Sequence, residues 1–83
     1  MRSRHQRTLE RIFARPTPSD IRWADVISLM RALDVEISER AGSRVLFRQG
    51  PTRVVVDRPH EPNLDQAAVR TIAGFLDRLG VTS

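Results

Sequence analysis

Two histidines and a run of arginines are the side chains best suited to chemistry in this 83-residue chain. His60 lies in "RPHEPNL", bracketed by prolines and two residues past Arg58. An imidazole titrates near neutrality and can take or give a proton at physiological pH. Arginines recur at positions 40, 44, 48, 53 and 58, opposed over residues 40–58 only by Asp57. A guanidinium stays protonated and grips phosphate through a planar fork of N–H donors. Together these types suit work on a phosphodiester: a group to move a proton and fixed positive charge on the phosphate. Each also has a plainer reading. A lone loop histidine is commonly structural, and arginines commonly do no more than solvate an exposed strand. His5, among the N-terminal arginines, is the weaker base candidate, and Asp57 would need a raised pKa to serve.

The elements that must position these groups follow from periodicity. Leu9, Ile12 and Phe13 make a short apolar stripe with Ser3 as a possible N-cap, and Pro16 stops it. "RPTPSDI" is a rigid connector. Ser19 or Asp20 can cap the next helix, expected over 22–34, where Trp23, Val26, Ile27, Met30 and Leu33 recur at helical spacing. Trp23 and Met30 there read as core rather than as a platform for a ligand. Three strands follow, formed by the alternations around Val35 and Ile37, around Val45 and Phe47, and in "RVVVDR". "QGPT" forms the turn between the last two, so the simplest topology is an antiparallel meander. Asn63 with Gln66, or Asp65 alone, starts a last helix over 65–79, and Gly80 ends it. Val45, Phe47, Val54, Ile72, Phe75 and Leu76 are the expected core.

Two amphipathic helices must cover one face of this sheet. The other face, left to water, would carry Glu36, Ser38, Arg40, Arg44, Leu46, Arg48, Arg53, Val55 and Asp57. Residues 1–18 read as a helical extension and linker, and residues 19–83 as the domain proper.

Composition narrows the function classes. The net charge is +4 and every basic residue is arginine. The positive charge concentrates in residues 1–15 and 40–58, which suits a polyanionic partner such as RNA or DNA. There is no cysteine, hence no disulfide and no thiolate metal site. No spacing of metal ligands, Gly-rich phosphate loop or Ser-His-Asp grouping occurs, so no cofactor is expected. No apolar run approaches the ~18 residues of a membrane span, and no signal-peptide segment is evident. The expected setting is the cytoplasm, with no membrane partner.

Gly42-Ser43 heads the second strand, a valine-rich third strand follows, and Pro59-His60 opens the next loop. The last amphipathic helix closes on Leu79-Gly80-Val81. In this order and spacing, residues 21–82 resemble the HicA family of small toxins from bacterial toxin–antitoxin pairs. The resemblance implies an α+β fold: a double-stranded-RNA-binding-like α-β-β-β-α domain, here with an extra N-terminal helix. It also implies mRNA interferase activity, an endoribonuclease acting on mRNA, and a HicB-like antitoxin protein as neutralising partner. In the family the residue after Gly-Ser is usually a histidine taken to be catalytic, and here that position is Arg44.

Arg44 cannot be the base, but it can clamp a phosphate and stabilise charge developing on it. The proton then falls to His60, and Arg44 and His60 are the expected catalytic pair. Arg40, Ser43, Arg48, Arg53 and Arg58 are the expected RNA contacts. The alternative is a binding module with the same surface and no chemistry. A different class, a purely protein-binding domain, would need an apolar open face, and Leu46 with Val55 is a small basis for one.

Overall fold

In the computed structural model, which describes residues 3–82, apolar residues at helical spacing form three helices on one side of a sheet. The chain runs α1 (Ser3–Phe13), α2 (Trp23–Ala32), β1 (Glu36–Glu39), β2 (Arg44–Gln49), β3 (Thr52–Asp57) and α3 (Gln66–Arg78). The fold is α+β with an antiparallel sheet in the order β1-β2-β3. α2 packs against β1 and α3 against β3, while α1 lies across α2 and α3. Leu9 and Ile12 of α1 are buried in the same apolar cluster as Val26, Phe47 and Phe75. The N-terminal helix thus contributes to the core.

Register fixes which side chains face the helices. Ile37, Phe47 and Val54 share one row, and Glu39, Val45 and Val56 the next. Phe47 is fully buried between Trp23 and Phe75, with ring centroids 5.9 and 6.4 Å away. Five of the six expected core residues are buried, and Val54, on the edge strand, is half-buried. Gln49 and Thr52 pair across a two-residue turn, where Gly50 takes φ +59° ahead of Pro51. A positive φ at the first central position matches the twist of a hairpin and suits glycine.

The helix ends show what local chemistry does and does not decide. The Asp65 carboxylate accepts from the Ala68 N–H at 2.8 Å, so Asp65 is the cap of α3. Gly80, at φ +80°, lets its own N–H and that of Val81 return to Asp77 and Leu76, closing the helix in a Schellman turn. α2 closes the same way with Asp34 at φ +60°. Its start differs from expectation. Neither Ser19 nor Asp20 caps it; Arg22 holds that position and its side chain makes no capping bond. The Trp23 N–H is taken instead by the Pro62 carbonyl at 2.9 Å, a partner about forty residues on that no local pattern announces. Asp20 pairs with Arg11 of α1. Ser3 is the first described residue of α1, so the residue before it lies outside the described residues.

Candidate functional site

The open face of the sheet is built from the alternate positions of each strand. Register places Glu36, Arg48 and Arg53 in one row and Ser38, Leu46 and Val55 in the middle. The last row holds Arg44 opposite Asp57, with Arg40 beyond Arg44 through an Arg40 N–H bond to the Arg44 carbonyl at 2.8 Å. The expected facing of Arg40, Arg44, Arg48 and Arg53 is what this register gives.

Leu46 departs from expectation. It points away from the helices, yet it is only 5% exposed, while its neighbour Val55 is 50% exposed. Leu46 occupies the middle of the central strand, with Ser38 and Val55 beside it and Arg44 and Arg48 before and after. Long arginine stems can lie over apolar surface while their heads stay in water. The middle row of the open face thus has a buried Leu46 beside an exposed Val55, flanked by charged rows.

The two charged rows are in different states. Arg48 donates to the Glu36 carboxylate at 2.9 Å. Among the described residues, Arg40 and Arg44 make no ion pair. The Arg53 carbonyl accepts from the Arg78 guanidinium at 3.4 Å. Arg58 is not on the open face. It continues the alternation of Val54 and Val56, so it points to the helix side, where it pairs with Glu39 beyond the end of the helical cover. Its spacing of two residues from Val56 is the signal in the sequence that carries this.

His60 is exposed and lines a hollow of about 700 Å³ at the Arg44 end of the sheet. Ser43, Arg58 and three carboxylates, Asp57, Glu61 and Asp65, line the same hollow. Asp57 belongs both to this hollow and to the row of Arg44. The loop that carries His60 is tied at both ends. The Arg58 N–H bonds the Ser43 carbonyl at 2.6 Å, the Leu64 N–H bonds the Ile21 carbonyl at 2.9 Å, and Pro62 receives the Trp23 N–H. Arg22 and Asn63 form an isolated bridge beside them. These loop anchors escape sequence reasoning because both partners are backbone groups far apart in the chain.

His5 is not placed to act as a base on the open face. It is 8% exposed in α1 and its Nδ1 has no hydrogen-bond partner. The whole helical layer and the sheet separate it from the arginine rows. The hollow thus brings together Ser43, Asp57, Arg58, His60, Glu61 and Asp65, Asp57 links it to the row of Arg44 and Arg40, and Arg48 and Arg53 stand apart. No helix among the described residues is long and apolar enough to cross a membrane, and no three of their His, Asp or Glu side chains gather as a metal site. The chain matches no family model, no curated protein and no solved structure.

Proposed function

We propose that this domain binds mRNA at the Arg40–Arg44 end of the open face and cleaves it beside His60, as a toxin similar to the HicA family. The observation that carries the reading is the junction at Asp57. There an arginine row without ion pairs among the described residues meets a hollow that holds an exposed histidine on an anchored loop. The strand and helix order after α1, α-β-β-β-α, is also that of double-stranded-RNA-binding-like domains and adds support on the side of the fold.

In this reading Arg44 holds the scissile phosphate and stabilises the charge that develops on it. His60 takes the proton of the 2′-hydroxyl, whose oxygen attacks phosphorus while the bond to the 5′-oxygen breaks. Solvent protonates the leaving oxygen, and the product ends in a 2′,3′-cyclic phosphate. A HicB-like antitoxin neutralises the toxin by covering the face around Arg44 and Arg48 with acidic or amide groups, a block that leaves the toxin folded.

The test uses purified protein and a labelled RNA. His60→Ala should lower the cleavage rate by about 10²–10⁴, whereas Arg44→Lys, which keeps charge and loses the fork, should only weaken it. Unchanged cleavage in His60→Ala removes His60 as the base. A second reading, RNA binding without turnover, is favoured by one observation: the family's histidine position holds a permanent cation. It predicts no cleavage by the native chain and a gain of cleavage in Arg44→His.

A further inference from the structure

A second depression shares a wall with the His60 hollow. It is a groove of about 640 Å³ between α2 and the edge strand β1, a size within the ~300–1,000 Å³ of sites that hold small organic ligands. Trp23 and Ile27 form its α2 side and Ile37 part of its floor, with Arg31, Glu39 and Arg58 around them. Trp23, Ile27 and Ile37 are each half-buried. Apolar surface is thus left open between cations.

Three features tie this groove to the His60 hollow. Arg58 lines both. The Trp23 N–H bonds the Pro62 carbonyl in the His60 loop, so the aromatic wall and the loop are built on one backbone contact. Arg58 is held from two directions, by its N–H on the Ser43 carbonyl and by its guanidinium on Glu39. That pairing also takes up the charge of Glu39, the one carboxylate among the described residues that line the groove. At the α2 side the Arg4 guanidinium reaches the Ser28 hydroxyl at 3.5 Å, one turn before Arg31. Apart from the Arg58–Glu39 pair, the charges at the rim are therefore cations.

We propose that this groove is a second nucleotide subsite, in which a base of single-stranded RNA stacks against Trp23 while Arg31, which makes no ion pair among the described residues, holds its phosphate. The proposal rests on the RNA-binding reading above and adds where the strand goes next. An aromatic face flanked by guanidinium groups is the usual platform for a single strand, and stacking tolerates any base because each has a π-face. A stacked duplex cannot offer such a base without unstacking it, so the groove selects single strands.

Trp23 is the chain's one tryptophan, and its emission reports the groove directly. The native protein is titrated with a ten-nucleotide oligoadenylate and with a blunt RNA hairpin. Affinity is read by anisotropy of a labelled copy, and Trp23 is read by emission and by its accessibility to acrylamide. The expected result is a change in Trp23 emission and protection from acrylamide that saturate with the anisotropy signal for the single strand and not for the hairpin. Trp23→Leu should weaken single-strand binding about tenfold. Because Trp23 also packs on Phe47, Arg31→Ala is the companion variant, expected to weaken the same binding with an unchanged melt. RNA binding by anisotropy that leaves Trp23 emission and accessibility unaltered overturns the subsite and spares the RNA reading. Absence of binding in both signals overturns the RNA reading itself. Protection of Trp23 by an antitoxin protein but never by RNA assigns the groove to a protein interface and overturns the proposal.

Discussion

The two ends of the open sheet face carry the same kinds of side chain in a different order. Across β1, β2 and β3 one end reads Glu36, Arg48, Arg53 and the other Arg40, Arg44, Asp57. Each has two arginines and one carboxylate, so composition does not distinguish them. Position does. At the first end the central Arg48 finds its acid on β1 and pairs with it at 2.9 Å. At the second, Arg44 has Arg40 on one side and Asp57 on the other, and neither arginine enters an ion pair among the described residues. Arg44 and Arg48 stand about 13 Å apart along β2, more than a Debye length at physiological salt. The two ends therefore respond to a polyanion nearly independently, and they differ in one cation: among the described residues Arg48 is paired, whereas Arg53, Arg40 and Arg44 make no ion pair. The end of Arg40 and Arg44 is also the one beside His60.

The largest effect that this difference predicts is on RNA affinity. Arg40→Ala with Arg44→Ala should weaken binding by about 10- to 100-fold, the worth of one or two charge-assisted hydrogen bonds. It should also lower the salt slope by about one for each phosphate that the protein no longer neutralises. Arg48→Ala with Arg53→Ala should cost less, about tenfold or below, because Arg48 is already committed to Glu36 and only Arg53 of the two makes no ion pair among the described residues. Binding measured by anisotropy at several salt concentrations decides it. Equal losses from the two pairs would mean that the ion pair opens freely and the ends are equivalent.

The middle row sets the next effect in size. If Leu46 were ordinary exposed surface, Leu46→Ala would change stability by within ~0.5 kcal/mol. Buried as it is at 5% exposure, the substitution should cost about 2 kcal/mol, the low end for a buried leucine. Urea denaturation with an unchanged m-value would confirm it. A negligible loss would show that the burial of Leu46 on this face contributes nothing to stability.

What is legible in the sequence and what is not divides along the range of the interaction. Helical stripes, the Gly50-Pro51 turn, the Asp65 cap and the register of Val45 and Phe47 depend on neighbours within a few residues or on period alone. The open-face set of residues follows from the same alternation. The start of α2 defeats a local reading because the group that satisfies Trp23 is the Pro62 carbonyl, brought there by the fold. Leu46 reads as solvated because alternation gives direction and says nothing of what lies alongside. Arg58 groups with the open-face arginines by residue type, although its parity with Val56 turns it to the helix side. The meeting of Asp57 and His60 in one hollow, and the sharing of Arg58 between two, depend on a loop whose backbone anchors leave no mark in side-chain pattern.

The smallest effect bears most directly on why the ends differ. If Glu36 alone keeps Arg48 from a ligand, Glu36→Gln should bring the first end toward the state of the second. The amide keeps the shape of the side chain and removes the charge, so the Arg48 guanidinium is released without a cavity or a new clash. Both partners are about half exposed, and an exposed pair contributes only ~0.2–1 kcal/mol. Stability should therefore fall by no more than that amount. RNA affinity should rise by about two- to fivefold, with a steeper salt dependence as one more cation becomes available. The gain should vanish when Arg48→Ala is combined with Glu36→Gln, since no released guanidinium then remains. A rise that survives the double substitution would come from the altered net charge of the surface, and the pairing of Arg48 would not be what separates the two ends.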